Sequence, residues 1–287
     1  TGNLIGTIDD FEFYNGVTTP PTKPTNVQDN SILVEKDTAK RYWRTPDQAT
    51  VSDDLTTNKG WTATGTGNGY NASEYVDFKL IAPDSSAKAG GQVLIDLQDA
   101  DYLNGSNLSD TAWVIRTKIN FSALDQATVN ENKVYLGCFS NSDWGGVAQD
   151  AIALQIKLDY GQSSKLMWIE AMNNSTFEGS SNQTALTTVP ATSTDYYIEF
   201  TRDGNDFTVR FTTSSDYTGG ETKSVTLASV ASLRYFGFKA RGDTQNNGGN
   251  VQGTIKPIIR IYNAVTTATP ATWTMEPTFR DDFANAT

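Results

Sequence analysis

The sequence predicts an all-β chain built as a two-sheet antiparallel jelly-roll sandwich, and three observations carry that prediction. Short runs alternate apolar and polar residues with a period of two, Gly/Asn/Ser turns separate them, and only SALDQAT (122–128) has weak helical character. Such alternation marks half-buried strands with one dry face and one wet face, as antiparallel sheets have. About a dozen of them over roughly 210 residues fit two packed sheets.

In chain order, GTIDDFEFYNGVTT (6–19) is a near copy of GTIKPIIRIYNAVTT (253–267), and Gly2-Asn3 answers Gly249-Asn250 upstream. Residues 1–17 therefore read as the closing strand of a preceding repeat or as a donor strand, with Ile8, Phe11 and Phe13 as the alternating residues a neighbour's sheet would accept. A Pro/Thr-rich linker follows over 18–29, then a small hairpin over 30–46 turning at Asp37-Thr38. The sandwich is expected over 47–267, opened by Asp53-Asp54-Leu55.

Within the sandwich, Trp113, Ile115, Thr117, Ile119 and Phe121 of AWVIRTKINF face one way, and Ile152, Leu154, Ile156 and Leu158 alternate in DAIALQIKLDY. Further strands are expected in EYVDFKLI (74–81), QVLIDL (92–97), KLMWIEAM (165–172), VTLASV (225–230) and RYFGFKA (234–240). YYIEFTRDGNDFTVRFTT is the clearest hairpin, with Gly204 supplying a positive φ at its turn. Lys256-Pro257, with the extra residue of the second copy, predicts a bulge or an edge, because proline cannot donate to a ladder. Residues 268–287 read as a second linker and the first strand of a following repeat, since Asp281-Asp282-Phe283 echoes Asp53-Asp54-Leu55.

Composition excludes several functions. At 287 residues and 37% hydrophobic the chain can bury a sizeable core. It lacks histidine, which removes Ser-His-Asp and Cys-His nucleophilic sites and the usual zinc and non-haem iron ligand sets. Cys138, the one cysteine, excludes an internal disulfide and shares a strand face with Val134 and Leu136, where it reads as a small buried hydrophobe. A net charge of −11 with 22 scattered basic residues argues against nucleic acid as a partner. No run approaches the roughly 18 apolar residues of a membrane span, so membrane insertion is not expected. A polar, weakly charged surface, 19% Asp, Glu, Lys and Arg, suggests an extracellular, cell-surface or virion-surface location.

For chemistry, three residue patterns stand out. Calcium is the candidate cofactor, since DLQDADYLNGSNLSD gathers Asp96, Asp99, Asp101, Asn104 and Asn107, and NSDWGGVAQD supplies Asn141, Asp143 and Asp150; turn-forming chemistry is the competing account. Haem, nucleotide and zinc are not expected. Glycan binding needs an aromatic platform with amides and carboxylates beside it, and Trp144, flanked by Asp143 with Asn141 nearby, leads, followed by Tyr102. Trp61, Trp113 and Trp168 stand on strands and are expected in the core. Asn-x-Ser/Thr sequons fall at Asn71, Asn104, Asn107, Asn120, Asn173, Asn174, Asn182 and Asn285.

GTIDDFEFYNGV resembles the closing strand of laminin-G-like domains of the concanavalin A-like lectin/glucanase superfamily. YLGCFSNSDWGGVAQDAIALQIKLD and YFGFKARGDTQNNGGNVQGTI resemble interior strands and a late loop of the same domains, over roughly residues 50–265. SILVEKDTAKRYW resembles hairpins that accompany such domains in viral fibre and microbial surface proteins. The resemblance implies a concanavalin A-like fold and a glycan-facing role, whereas Lys256-Pro257 replaces the acidic pair seen at Asp9-Asp10. The Glu-x-Asp-x-x-Glu string of related glucanases is absent, and Glu170 and Glu199 each stand alone on their strands. The expectation is thus a non-enzymatic structural or adhesive module of an extracellular or virion surface, partnered by neighbouring copies and by surface glycans. A filament subunit joined by strand donation and a glucanase-like carbohydrate-active enzyme are the alternatives.

Overall fold

The computed structural model describes residues 32–34, 41–45, 48–64, 68–71, 75–81, 91–125, 131–142, 149–159, 165–175, 182–242, 250–268 and 272–275. Its strands are β1 (Ile32–Val34), β2 (Arg41–Thr45), β3 (Val51–Asp53), β4 (Thr62–Thr64), β5 (Gly69–Asn71), β6 (Tyr75–Ile81), β7 (Gln92–Asp96), β8 (Ala112–Asp125) and β9 (Glu131–Phe139). They continue as β10 (Gln149–Asp159), β11 (Lys165–Ser175), β12 (Asn182–Leu186), β13 (Asp195–Asp203), β14 (Asp206–Thr212), β15 (Glu221–Thr226), β16 (Tyr235–Gly242), β17 (Asn250–Asn263) and β18 (Thr272–Met275). The chain divides into two compact units, Thr1–Asp47 with Pro270–Thr287, and Gln48–Thr269. No helix among the described residues is long and apolar enough to cross a membrane.

In the first unit, β1 and β2 form the hairpin expected over 30–46, and β18 pairs antiparallel with the other side of β2. The segment read as a linker therefore contributes a strand, TWTM, to this small sheet.

The second unit is an antiparallel two-sheet sandwich, as the alternation predicts. One sheet has seven strands in the order β12-β11-β10-β9-β16-β7-β4; the other has eight, ordered β15-β14-β13-β8-β17-β6-β5 with β3 also on β17. Between them lies a single apolar layer that includes Trp113, Ile115, Ile119 and Phe121 of β8, Leu154 and Ile156 of β10, and Phe236 and Phe238 of β16. Phe78 of β6 stacks on Phe238 across the layer at 4.1 Å between ring centroids. Each such ring contributes about 1.5–3 kcal/mol by leaving water. Cys138 is buried in this core, and burial pushes its thiol far above the usual range, which makes it an inert filler.

The β13–β14 hairpin turns through Gly204 and Asn205, with Gly204 at φ 60°, the pattern of a two-residue type II′ turn. The weakly helical reading of 122–128 does not hold for its described part, since Ser122–Asp125 continue β8. Ser122 is an extra residue in the ladder, because Gln252 faces Ala123 while Gly253 faces Phe121. Pairing with the start of β17 overrides local helix preference there. Gly253, the glycine of the repeated Gly-Thr-Ile, is required at this bulge because a Cβ would lie 2.1 Å from the Asn120 carbonyl oxygen.

Pro257 stands where the β17–β8 ladder is interrupted between Lys256 and Arg260. On its other side β17 changes partner there, from β6 (through Ile255) to β3 (from Ile259), so the missing N–H costs no ladder bond. At the end of the motif, the Asn263 Oδ1 atom accepts from the Ser109 amide, and Ala264 adopts φ 62°. The first copy carries Gly16 at that place, the residue such a backbone prefers.

Along one side of the sandwich the free edge of β15 is closed by side chains. Asn173, Asn182 and Thr184 donate to the carbonyls of Ala228, Thr226 and Ser224, while Glu221 accepts from the amides of Thr187 and Thr188. An edge with its carbonyls satisfied no longer templates another strand.

Candidate functional site

The seven-stranded sheet presents its second face away from the core, and strand parity selects which residues lie on it. In KLMWIEAM, Met167, Ile169 and Ala171 join the core, so Trp168, Glu170 and Met172 face outward. Register then lines up residues across strands. Gln92, Lys239, Tyr135, Gln155, Trp168 and Ala185 form one row from β7 to β12, and Leu94, Gly237, Gly137, Ala153, Glu170 and Gln183 form the next.

The centre of this face is polar and yet buried. Lys239 and Tyr135 are 0% exposed, Glu170 3% and Gln155 5%. Buried polar groups of this kind are tolerated when hydrogen-bonded, and here they are. The Gln155 amide donates to Tyr135 Oη and to Glu170 Oε2, both at 2.8 Å, which uses both of its hydrogens. Since Tyr135 Oη accepts from Gln155, its own proton is directed elsewhere. The Lys239 ammonium donates to the Asn141 carbonyl at 2.5 Å and to Gln149 Oε1 at 3.3 Å, and sits 4.4 Å from the centre of the Phe139 ring.

Glycines shape the floor between these groups. A Cβ on Gly137 would lie 2.1 Å from the Ile152 carbonyl oxygen, and one on Gly237, at φ 144°, would lie 2.2 Å from that of Val93. Both side chains are excluded by backbone, so the middle of the second row stays low. Toward β12 the face opens: Trp168 is half-buried with Lys157 5.9 Å from its ring centre, and Gln183 and Ala185 are exposed.

Most of this site was not among the residues singled out from sequence. Trp168 was expected in the core and instead lies on the outer face, while Trp61 and Trp113 are core residues. Alternation sets it opposite Met167 and Ile169 without marking which of the two faces is inner. Glu170, isolated in sequence, gains Gln155 from the neighbouring strand. Asp143 and Trp144 lie outside the described residues, as do Ile8, Phe11 and Phe13. The residues matching those three in the second copy, Ile255, Ile259 and Ile261, are core.

Of the remaining candidates, Asn141 contributes its backbone carbonyl to Lys239. Tyr102 is buried and donates its hydroxyl at 2.5 Å to buried Asp53, so it anchors the 97–106 turn rather than offering a platform; burial and that carboxylate hold its phenol far above the usual range. Asp96 accepts two bonds from Arg234, which hold its carboxyl below the usual range. Asp99 accepts from the Asp101 amide, and Asp150 accepts from the amides of Asn174 and Ala231. Among the described residues no three His, Cys, Asp or Glu side chains gather as a metal cluster.

The sequon asparagines divide by how their side chains are used. Asn71, Asn120, Asn173 and Asn182 donate through Nδ2, to Asp77, Asp195, Ala228 and Thr226 respectively. Asn107 accepts from Gln98, and Asn104 and Asn174 are exposed.

No protein-family model and no curated protein matches the chain. Solved structures similar to it include the CBM2 module of the evolved Dit of Lactobacillus casei BL23 phage J-1, at 13% identity and TM-score 0.43, covering 78% of this chain and 99% of that one. An alginate lyase from Klebsiella pneumoniae matches at 11% identity and TM-score 0.44, covering 68% and 83%. A β-1,3-glucanase from Mycobacterium marinum matches at 10% and 0.43, covering 75% and 98%. At these identities the likeness concerns the sandwich outline and does not identify a substrate. The expectation of a chain without enzymatic activity does not stand beside it, because enzymes are among the similar structures.

Proposed function

We propose that this chain is a carbohydrate-active protein that takes a polysaccharide on the outer face of the seven-stranded sheet. One observation carries the reading: Lys239, Tyr135, Gln155 and Glu170, from four adjacent strands, converge at a face of the sheet that does not form the sandwich core. A carboxylate, an amide, a phenol and an ammonium offer both donors and acceptors to sugar hydroxyls, and Trp168 offers an aromatic face at the open side. The saccharide approaches from β12, where exposure increases.

The same groups can move protons. Hydrolysis by paired carboxylates needs two of them within about 5–10 Å, but Asp96 stands four strands from Glu170, about 19 Å at the usual spacing, and the paired positions Asp159 and Glu131 stand six residues along the strands from the Glu170 row, about 20 Å. Proton transfer through Tyr135, its hydroxyl joined to Glu170 through the Gln155 amide, suits eliminative cleavage of an acidic polysaccharide better than hydrolysis, and Lys239 of the adjacent strand adds positive charge to the same face. A polymeric substrate implies encounter outside the cell.

The test is incubation of the chain with neutral and acidic polysaccharides, following reducing ends and the ultraviolet absorbance of unsaturated products, alongside affinity electrophoresis. Retardation with unsaturated products from an acidic polymer is expected. Neither retardation nor products across the panel, with a folded chain, would overturn the proposal.

A further inference from the structure

The geometry points to Asn104 and Asn174 as two N-glycan acceptors that crown one end of the sandwich. In the transfer, asparagine Nδ2 displaces the diphosphate from the anomeric carbon of a lipid-linked oligosaccharide. The C–N bond forms, the C–O bond breaks, and the amide proton leaves as the diphosphate departs. A modified Nδ2 keeps one hydrogen and carries a bulky polar group, so it is compatible with the fold only where the atom faces solvent.

That condition separates the sequons. Asn182 donates to the Thr226 carbonyl and Asn173 to that of Ala228, bonds that close the β15 edge. Asn120 is half-buried and donates at 2.8 Å to Asp195, which also pairs with Lys118; Asn71, also half-buried, donates to Asp77. Asn107 is half-buried and held by Gln98, next to buried Leu108.

Asn104 and Asn174 are exposed, as Asn173 and Asn182 are, but among the described residues neither Nδ2 makes a bond that a glycan would break. Both lie in the left-handed region, at φ 45° and 42°, Asn104 in the turn after β7 and Asn174 at the bulge near the end of β11. Asn104 heads Asn104-Gly105-Ser106, and Gly105 has open space where a side chain would be. Asn174 heads Asn174-Ser175-Thr176, and its backbone is fixed by its amide donating to Asp150 at 2.7 Å.

The two lie at the same end of the seven-stranded sheet. The last row that runs from β7 to β11 is Asp96, Tyr235, Phe139, Ala151 and Met172, beyond which Gln149 and Ser175 still pair. The turn bearing Asn104 leaves β7 just beyond Asp96, and Asn174 follows Met172 by two residues. Glycans there lie beyond the last row and leave the open side at Trp168 and Ala185 uncovered.

The experiment is secretion of the full chain from a eukaryotic cell, followed by enzymatic deglycosylation in H2(18)O and peptide mass spectrometry. Incorporation of label at Asn104 and Asn174, and none at Asn71, Asn120 or Asn182, is expected. Ser106→Ala and Thr176→Ala destroy these sequons without altering either left-handed asparagine, and each is expected to lower the secreted mass by one glycan. Should secretion fail, translation into microsomes reads the same two mass shifts. An unmodified Asn104 or Asn174, or a folded, secreted chain carrying a glycan on Asn120 or Asn182, would overturn the inference.

Discussion

The outer faces of the two sheets use polar residues in opposite ways. On the eight-stranded sheet, Arg116 donates to Glu199 at 2.7 Å, Arg210 stands 3.5 Å from the same carboxylate, and Lys118 pairs with Asp195 at 2.7 Å. Glu199 directly faces Arg116 and Arg210 across the strands, and Asp195 is the diagonal neighbour of Lys118; opposite charges at such positions stabilise the pairing. Tyr217, at φ 62°, covers Arg116 with its ring 4.6 Å away, while its carbonyl accepts from Arg210. On the seven-stranded sheet, Lys239, Tyr135, Gln155 and Glu170 are buried beside Phe139, Ala153 and Met172. A face that only needed to meet water would not bury a lysine and a glutamate, since desolvating each costs several kcal/mol before any bond is made. The first arrangement maintains a surface; the second buries its polar and charged groups together.

The sharpest way to break the second face is at its floor. Gly137→Ala places a methyl against the Ile152 carbonyl and Ala153, and is expected to lower stability by about 3 kcal/mol or more in a denaturant titration, because backbone cannot yield as a side chain can. Next is chemistry without loss of packing. Tyr135→Phe retains the ring and is expected to reduce turnover on a responsive polysaccharide about a hundredfold, the lower range for loss of a general acid or base, while loss of the acceptor for the Gln155 amide costs about 1 kcal/mol of stability. Equal loss of both would mean that the hydroxyl is only structural.

A matched pair then compares the faces directly. Lys239→Met removes the ammonium that donates to the Asn141 carbonyl and Gln149 and is expected to cost about 2 kcal/mol. Arg116→Met leaves Glu199 with Arg210 and is expected to cost about 1 kcal/mol or less, an amount that added salt reduces further. Equal costs in urea titrations would erase the distinction between the faces.

The smallest effect is acid sensitivity of the stitched edge. Burial would raise the Glu221 carboxyl, but the amides of Thr187 and Thr188 outweigh it and hold the group at about 2. A carboxyl depressed in the folded state contributes stability above its unfolded value, near 4.5, and loses it as pH falls toward 2. The Tm of the native chain is therefore expected to drop between pH 4.5 and 2 by more than that of Glu221→Gln, as followed by circular dichroism. Parallel curves would show that the edge does not depend on this carboxylate.

Length and alternation by themselves determined that the chain is all-β, which face of most strands meets the core, where the Gly204 hairpin turns and that Pro257 marks a break in pairing. These are local or period-two properties, and apolar burial acts on them directly. Sequence could not place Trp168, because its strand is apolar on one face and mixed on the other and neither is marked as inner. Nor could it join Glu170 to Gln155 and Tyr135, which are 15 and 35 positions away along the chain. Only the order β16-β9-β10-β11 and its register make them neighbours. Other tertiary contacts took Tyr102 from a candidate sugar platform to an anchor on Asp53 of β3, and separated Asn104 and Asn174 from sequons identical in pattern. The physical reason is that a carboxylate, an amide or a lysine acquires its chemistry from burial and partners, and these are set by which strands pair.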